Sequence, residues 1–81
     1  MKVVLSGQAA VAAADAPAAV RKAFHKQLAL LETSLRHPSL RAKKYSESEH
    51  IWQARVNRDW RFYFRIQDDV YYIVNVLPHP K

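Results

Sequence analysis

Arginines alternate with apolar, mostly aromatic side chains between Ala54 and Ile66, where the sequence reads ARVNRDWRFYFRI. Arg55, Arg61 and Arg65 interleave with these residues at the spacing of a β-strand. A guanidinium group presents a rigid fork of N–H donors that matches the oxygens of a phosphate or a carboxylate. Cations at this spacing on a pair of strands therefore predict a binding site for an anion.

The histidines are the candidate proton carriers, because imidazole is the side chain whose ordinary pKa lies closest to neutrality. His79 follows the last apolar stretch, and we assign it as a candidate general acid or base. His25, His37 and His50 lack the spacing of metal ligands, and we assign them structural or solvent-exposed roles. The chain has no cysteine, and we expect neither a metal site nor a cofactor.

Positive charge is concentrated in the middle of the chain. The net charge is +6, and residues 36–65 contain eight basic residues against three acidic ones. Such a concentration favours a polyanionic partner, either nucleic acid or an acidic protein. A basic surface that is simply solvated is the alternative, and charge alone leaves it open.

Length and composition predict one ordered domain that spans residues 1–81, with 49% hydrophobic and 25% charged residues. The first twenty residues resemble a signal peptide, but polar residues interrupt the apolar run at Ser6, Gly7, Gln8 and Asp15. No stretch has the length of a membrane span, and the lack of cysteine suits a reducing compartment. We expect a soluble, cytoplasmic protein.

Two helices should position the candidate residues. After a short strand over residues 2–5, Ser6 can cap a first helix that continues through Ala14. Asp15 is the predicted N-cap of a second helix, with Pro17 in its first turn and an end near Arg36. This helix has an apolar stripe at spacings of three and four, formed by Val20, Phe24, Leu28, Leu31 and Leu35.

Three antiparallel strands follow, because the apolar period changes from the helical value to two from Ile51 onward. Pro38 should end the second helix, and residues 37–48 are predicted to be a polar and basic connection. In each strand, successive side chains point to opposite faces of the sheet, and one face is predicted to be the core. The predicted core residues are Trp52, Ala54 and Val56; Trp60, Phe62, Phe64 and Ile66; and Val70, Tyr72, Val74 and Val76.

The strand registers follow from the need to keep each apolar set on one face. In the first hairpin a three-residue loop, 57–59, pairs Ala54 with Phe62 and brings Arg55 opposite Arg61. In the second, a three-residue loop, 67–69, brings Arg61 opposite Asn75. Continued alternation along the strands places five residues on the face away from the helix: Arg55, Arg61, Tyr63, Asn75 and His79. Tyr71 has the same parity as these residues.

These motifs together resemble a known family. The order of elements, the segment HPSLRAKKY over residues 37–45 and the pattern W-x-x-R-V-x-x-x-W-R-F-Y-F over residues 52–64 are similar to the RelE/ParE superfamily of bacterial toxins from type II toxin–antitoxin operons. The resemblance implies an α+β fold over the single domain, with a short N-terminal strand and two helices packed on an antiparallel sheet that ends in a three-stranded meander.

The resemblance also implies an activity and its partners. Members of the RelE branch are ribosome-dependent endoribonucleases that cut messenger RNA, inhibit translation and are silenced by a cognate antitoxin. The expected partners are therefore an antitoxin, the ribosome and messenger RNA, with no membrane contact and no direct DNA contact except through the antitoxin. No cofactor is implied.

Site residues carry over by position. Arg61 matches an arginine that supports the transition state, Arg55 matches a basic residue on the preceding strand, and His79 matches a histidine that is catalytic in the YoeB and YafQ branches. We assign contacts to RNA to five further residues, of which the two lysines belong to the basic connection: Lys43, Lys44, Arg41, Arg58 and Tyr63.

The implied reaction is attack of a 2′-hydroxyl on the adjacent phosphate. It needs a base, an acid and cations against the crowded phosphorane. The sequence has no match for the glutamate of the YoeB branch or the C-terminal tyrosine of RelE, so a second proton carrier beside His79 is not assigned. Tyr63 or a lysine of the connection could supply it, or the ribosome could orient the substrate so that one carrier is enough. Two other functions stay open as well, a ParE-like inhibitor of gyrase and a degenerate member that only binds its antitoxin.

Overall fold

A mixed five-stranded sheet with two helices on one face forms the framework that positions the candidate residues. The computed structural model describes residues 1–79, and its elements are β1 (Lys2–Leu5), α1 (Gly7–Asp15), α2 (Ala18–Thr33), a 3₁₀ helix (Pro38–Leu40), β2 (Lys43–Ser46), β3 (Ile51–Arg55), β4 (Trp60–Gln67) and β5 (Val70–Pro78). The strand order is β1-β5-β4-β3-β2. β1 runs parallel to β5, and the other neighbours are antiparallel. The α+β class is confirmed, and neither helix in residues 1–79 is long and apolar enough to cross a membrane.

The helix boundaries differ from the prediction at the junction of α1 and α2. Ser6 caps α1 as expected, since its Oγ accepts a hydrogen bond from the Ala9 N–H at 3.0 Å. Asp15, the predicted N-cap of α2, is instead the last residue of α1, and Pro17 stands at the N-cap of α2 without a side-chain bond. α2 ends at Thr33 because Ser34 adopts extended angles, φ −160° and ψ 116°.

The segment 37–48, predicted as a polar and basic connection between the second helix and the strands, contains the 3₁₀ helix and β2. This prediction was wrong for β2 because the sequence KKYS has no apolar alternation. The strand forms by pairing with β3, where Lys43 lies opposite Gln53 and Lys44 opposite Trp52. The ammonium of Lys44 lies 5.2 Å from the centre of the Trp52 ring, a cation–π contact that supports the pairing.

The first hairpin has the predicted register. Ala54 pairs with Phe62 and Arg55 with Arg61. The turn between the strands is closed by Asn57, whose Oδ1 accepts hydrogen bonds from the backbone N–H groups of Asp59 and Trp60 at 2.9 and 3.0 Å. An asparagine side chain that bonds the backbone two residues on is a common way to fix a turn.

The second hairpin does not have the predicted register. Its turn contains two residues, Asp68 and Asp69, both with positive φ, 51° and 63°, as a type I′ turn requires. Gln67 therefore pairs with Val70, one position away from the prediction. A β-bulge beyond Phe64 then adds one residue to β5, so that Arg61 lies opposite Leu77 rather than Asn75.

The two shifts change which side chains of β5 are buried. Between turn and bulge, Tyr71 and Ile73 are in the core, whereas Tyr72, predicted there, is 40% exposed. Burial raises the pKa of the Tyr71 hydroxyl. Beyond the bulge the predicted parity returns, and Val76 is buried. The early part of the strand therefore faces the opposite way from the prediction, and the late part faces as predicted.

The core lies between the helices and one face of the sheet. Four of the five predicted stripe residues of α2 are buried, and Leu35 is partly buried. Phe24 of α2 meets Phe62 of β4 edge to face, with ring centres 5.5 Å apart. Since Phe62 lies under α2, the residues that alternate with it face away from the helices. We call that side the outer face of the sheet.

The strained turn between β4 and β5 gives a stability prediction. Replacing Asp69 by glycine should stabilise the fold by about 0.5 to 1 kcal/mol, because glycine adopts a positive φ without steric cost. The midpoint of thermal unfolding should rise by about 2 to 8 °C. Asp59→Gly is the matched control, since Asp59 is also in a hairpin turn but lacks a positive φ. Equal effects of the two changes, or a lower midpoint for Asp69→Gly, would contradict the assignment of strain to this turn.

Candidate functional site

Two arginines lie side by side on the outer face at one end of the sheet. Arg55 is the last residue of β3, and Arg61 lies directly opposite it on β4. Their chain neighbours Ala54 and Phe62 are buried in the core, so the alternation of the strands turns both arginines outward. Like charges directly opposite each other destabilise a strand pair, by up to about 1 kcal/mol. This arrangement is the one that an anion would stabilise.

The β3–β4 turn holds the guanidinium of Arg61. Its Nη1 donates to the backbone carbonyl oxygens of Asn57 at 2.7 Å, Trp60 at 2.9 Å and Arg58 at 3.3 Å. Within residues 1–79, these hydrogen bonds use only Nη1. The group is thus fixed in position through one nitrogen, while Nε and Nη2 remain as donors for a ligand.

A third arginine adds to the charge around Arg61. Burial lowers the pKa of Arg61, and the neighbouring positive charges of Arg55 and Arg41 lower it further, with a partial offset from Tyr63 and Asp59. Arginine stays protonated under all ordinary conditions, so the lowered pKa reports repulsion rather than a loss of charge. Arg41, predicted to contact RNA, is therefore brought close to the Arg55–Arg61 pair.

Arg41 has an unusual backbone conformation. Its φ and ψ are 47° and 42°, in the left-handed region, where it caps the 3₁₀ helix with an N–H bond to the Pro38 carbonyl at 3.3 Å. A residue with a Cβ in this region costs roughly 1 kcal/mol or more. Such strain is often found at functional sites, and here it belongs to a residue that the sequence had already singled out.

A buried glutamine that is not among the predicted site residues fixes this corner of the molecule. Gln27 is only 7% exposed, and its Nε2 donates to the carbonyl oxygens of Ser39 at 3.1 Å and Arg55 at 2.9 Å. It thereby joins α2 to the 3₁₀ helix and to the end of β3. A signal was present in the sequence, because Gln27 is a polar residue at a helical spacing of three from Phe24, inside the apolar stripe.

The two lysines of β2 point to opposite sides of the sheet. Lys43 pairs with Gln53 and so shares the outer face with the arginine pair, whereas Lys44 pairs with Trp52 and lies over its ring on the other side. Neighbouring residues of a strand point to opposite faces. Lys43 therefore remains a candidate contact to RNA beside the arginines, and Lys44 has a structural contact that the sequence did not predict.

Tyr63 lies at the edge of an apolar hollow on the outer face. Its hydroxyl oxygen accepts a hydrogen bond from the Gln53 amide at 3.1 Å, and its ring packs against that of Tyr45 with centres 5.1 Å apart. Tyr45 is 62% exposed. The hollow has a volume of about 230 Å³ and is completed by Ile51, Val74, Asn75 and Leu77. An exposed aromatic ring of this kind is a surface on which a nucleobase can stack.

His79 lies beside the turn that holds Arg61. Its backbone N–H donates to the carbonyl oxygen of Asp59 at 2.7 Å, which extends the β4–β5 pairing beyond Pro78. Its side chain is exposed. Because Leu77 lies opposite Arg61, the alternation of the strand gives His79 the parity of the outer face. Arg58, in the same turn, is exposed and bonds Arg61 only through its backbone carbonyl.

The other histidines occupy places apart from the arginine pair. Nδ1 of His37 accepts a hydrogen bond from the Ser39 N–H at 3.2 Å and thereby caps the 3₁₀ helix. His25 lies on α2 beside Phe24, and His50 is a turn residue with φ 55°. Among residues 1–79, no group of three or more His, Cys, Asp or Glu side chains is arranged to hold a metal ion.

Comparison with solved structures identifies the fold. The chain is similar to a YoeB/ParE toxin from Agrobacterium tumefaciens, with a TM-score of 0.81 and 12% identity over 99% of this chain and 100% of the other. The chain has the RelE/ParE toxin fold. It is also similar to the YoeB–YefM toxin–antitoxin complex of Staphylococcus aureus, with a TM-score of 0.77, 14% identity and coverage of 99% and 98%.

Further matches extend the range of organisms with the RelE/ParE fold. YafQ from Escherichia coli has a TM-score of 0.69 and 15% identity, with coverage of 96% and 92%. The RelB–RelE complex of Methanococcus jannaschii has a TM-score of 0.70 and 15% identity, with coverage of 93% and 88%. No protein-family model and no curated protein sequence matches the chain. The likeness in structure at this low identity shows the fold.

Proposed function

We propose that this protein is the toxin of a toxin–antitoxin system and acts as a ribosome-dependent endoribonuclease on messenger RNA. The observation that carries the proposal is the pair of opposed guanidinium groups of Arg55 and Arg61 on the outer face of a RelE/ParE fold. Their closely spaced positive charges suit the phosphorane that forms when a 2′-hydroxyl attacks the adjacent phosphate.

In this mechanism Arg61 binds the phosphate whose bond is broken. Its Nη1 is already bonded to the turn, so the remaining donors require little reorganisation when charge develops on the phosphate oxygens. Arg55 adds a second cation from the opposite strand. The 2′-oxygen forms a bond to phosphorus and the 5′-oxygen leaves, so the product strand ends in a 2′,3′-cyclic phosphate.

Two protons must move in this reaction, one from the 2′-hydroxyl and one to the leaving 5′-oxygen. His79 is the proposed carrier of one of them, because imidazole both accepts and donates a proton near neutral pH. Tyr63, with an exposed neighbour in Tyr45, is proposed to contact the RNA. Lys43, Arg41 and Arg58 are proposed to hold its backbone, while the ribosome orients the message.

An antitoxin is the proposed protein partner. Two of the similar structures are complexes of a toxin with an antitoxin, YoeB with YefM and RelE with RelB. A partner segment that covers the outer face would exclude RNA from the arginine pair. The high positive charge of the chain, +6, favours a partner that carries acidic residues.

Induced expression of the chain in a bacterial host tests the proposal. We expect growth arrest that co-expression of the neighbouring gene relieves, together with new messenger-RNA ends at fixed codon positions. The ends are mapped on translated messages and on the same messages without a start codon. Cuts that do not depend on translation would contradict the ribosome requirement. DNA damage without cuts would favour inhibition of gyrase, and growth without arrest or cuts would favour a member that only binds its antitoxin.

A further inference from the structure

A cationic cleft lies beside the arginine pair, between α2, the 3₁₀ helix and the end of β3. Its volume is about 410 Å³. Three basic residues contribute to its lining, each from a different part of the chain: Lys26 from α2, Arg41 from the residue after the 3₁₀ helix and Arg55 from β3. None of its lining residues is acidic. A concave site with convergent charge of one sign is suited to a ligand of the opposite sign.

The walls of the cleft are held in place before any ligand arrives. The buried amide of Gln27 donates to the carbonyl oxygens of Ser39 and Arg55, and both of these residues line the cleft. This bridge fixes the separation of α2 from the 3₁₀ helix and from β3. A preorganised site binds its ligand without the cost of ordering its own walls.

Two basic residues of the cleft lie close enough to Arg61 to repel its charge. Arg41 and Arg55 both lower the pKa of Arg61, and Arg41 is in addition held in a left-handed backbone conformation. Within residues 1–79, the side-chain hydrogen bonds of Arg21, Arg61 and Arg65 all go to backbone carbonyls rather than to carboxylates. The repulsion between these two residues and Arg61 would be relieved by an anion whose oxygens accept from them.

A phosphate is the anion that these observations favour. It presents several acceptor oxygens in a tetrahedral arrangement, which suits a site to which two arginines and one lysine contribute. Arg55 belongs both to the cleft and to the Arg55–Arg61 pair. An anion in the cleft would therefore lie next to an anion at Arg61. Two successive phosphates of one nucleic-acid strand could occupy these two positions.

From this geometry we infer that the cleft formed by Lys26, Arg41 and Arg55 binds a phosphate of the RNA strand next to the phosphate at Arg61. The inference rests on the proposed function for the position of the cut. It assigns a role in RNA binding to Lys26, a helix residue outside the sheet and its loops.

Binding of a short RNA that cannot be cut tests this assignment. The probe is a hexaribonucleotide with 2′-O-methyl groups throughout, and the comparison is between Lys26→Gln and Lys22→Gln, which remove the same charge from the same helix. Lys22 does not line the cleft. Lys26→Gln should weaken binding by about 3- to 10-fold and reduce the slope of log K against log salt by about 0.7. Lys22→Gln should leave the affinity within a factor of about two and the slope unchanged.

Three outcomes would overturn the inference. Equal losses of affinity in Lys26→Gln and Lys22→Gln would mean that the total charge of the helix, and not a specific site, governs RNA binding. Amide NMR shifts of Ser39 and Arg41 that respond to inorganic phosphate but not to the RNA probe would make the cleft a site for free phosphate. No response of these amides to either probe would exclude the site. A chain that binds the probe through Lys26 but cuts no translated message would contradict the nuclease proposal and leave the phosphate site supported.

Discussion

Replacing Arg61 by alanine is expected to lower the rate of messenger-RNA cleavage by about 100- to 1,000-fold, the loss typical of removing one group that stabilises charge in a transition state. Arg61 lies opposite Arg55, and its guanidinium is held by the carbonyls of Asn57 and Trp60. Arg61→Lys should recover only part of the rate, because an ammonium lacks the fork that binds the turn and the phosphate together. The rate is measured by mapping message ends in a reconstituted translation reaction.

Arg65→Ala is the matched control for this experiment. Arg65 is on the same strand and the same face as Arg61, and its Nε donates to the Glu49 carbonyl at 3.2 Å. Its partner on β5 is Tyr72, whereas Arg61 lies between Leu77 on β5 and Arg55 on β3. Removal of Arg65 lowers the net charge equally and should change the rate by no more than a few-fold. Comparable losses in the two variants would mean that total charge, and not the arginine pair, governs activity. A fully active Arg61→Ala variant would remove the basis of the proposed mechanism.

Replacing Phe62 by alanine is expected to lower the free energy of unfolding by about 3 to 5 kcal/mol. The side chain has no exposed surface, its ring contacts Phe24 at 5.5 Å and Phe64 at 5.7 Å between centres, and it links α2 to the centre of the sheet. A domain of this length has a total stability of only about 4 to 12 kcal/mol. The variant should therefore be largely unfolded at moderate urea concentrations, as followed by circular dichroism.

Two further variants calibrate that result. Phe62→Leu keeps an apolar side chain in the same space and should cost about 1 to 2 kcal/mol. Tyr72→Ala removes an aromatic ring of similar size from a residue that is 40% exposed, and should cost less than about 1 kcal/mol. If Tyr72→Ala were as destabilising as Phe62→Ala, the register of β5 described above would be wrong.

The first hairpin could be predicted from sequence, and the second could not, for a physical reason. In β3 and β4 the apolar side chains other than Ile51 and Tyr63 occur on one parity, so a single register buries most of them. In β5 the sequence VYYIVNVL is apolar on both parities, and the pattern permits a slip of one residue at low cost. The two-residue turn at Asp68 and Asp69 decided the register there, and its Asp-Asp sequence lacks the Asn-Gly or Asp-Gly signal of such turns.

The candidate site was predictable in its residue types but not in its detail. The spacing of Arg55 and Arg61 was sufficient to place them opposite each other, because strand parity and a short odd-numbered loop together fix that pairing. The attachment of the Arg61 guanidinium to the turn depends on a rotamer and on carbonyl positions, which no spacing encodes. The cationic cleft depends on the approach of α2 to the 3₁₀ helix through Gln27, a tertiary contact.

The β-bulge in β5 has a consequence for how the chain can change in length. The tight turn shifts β5 by one position, and the extra residue at the bulge shifts it by one more, so that Leu77 and His79 return to the side of Arg61. The two one-residue shifts add up to two residues, which restores the original orientation of the side chains. A single deletion at either place would exchange the two sides of the strand's last third and turn its final imidazole toward the hydrophobic interior, whereas simultaneous loss at both would leave its orientation intact. The catalytic geometry proposed for this end of the sheet therefore tolerates insertions and deletions only in compensating pairs.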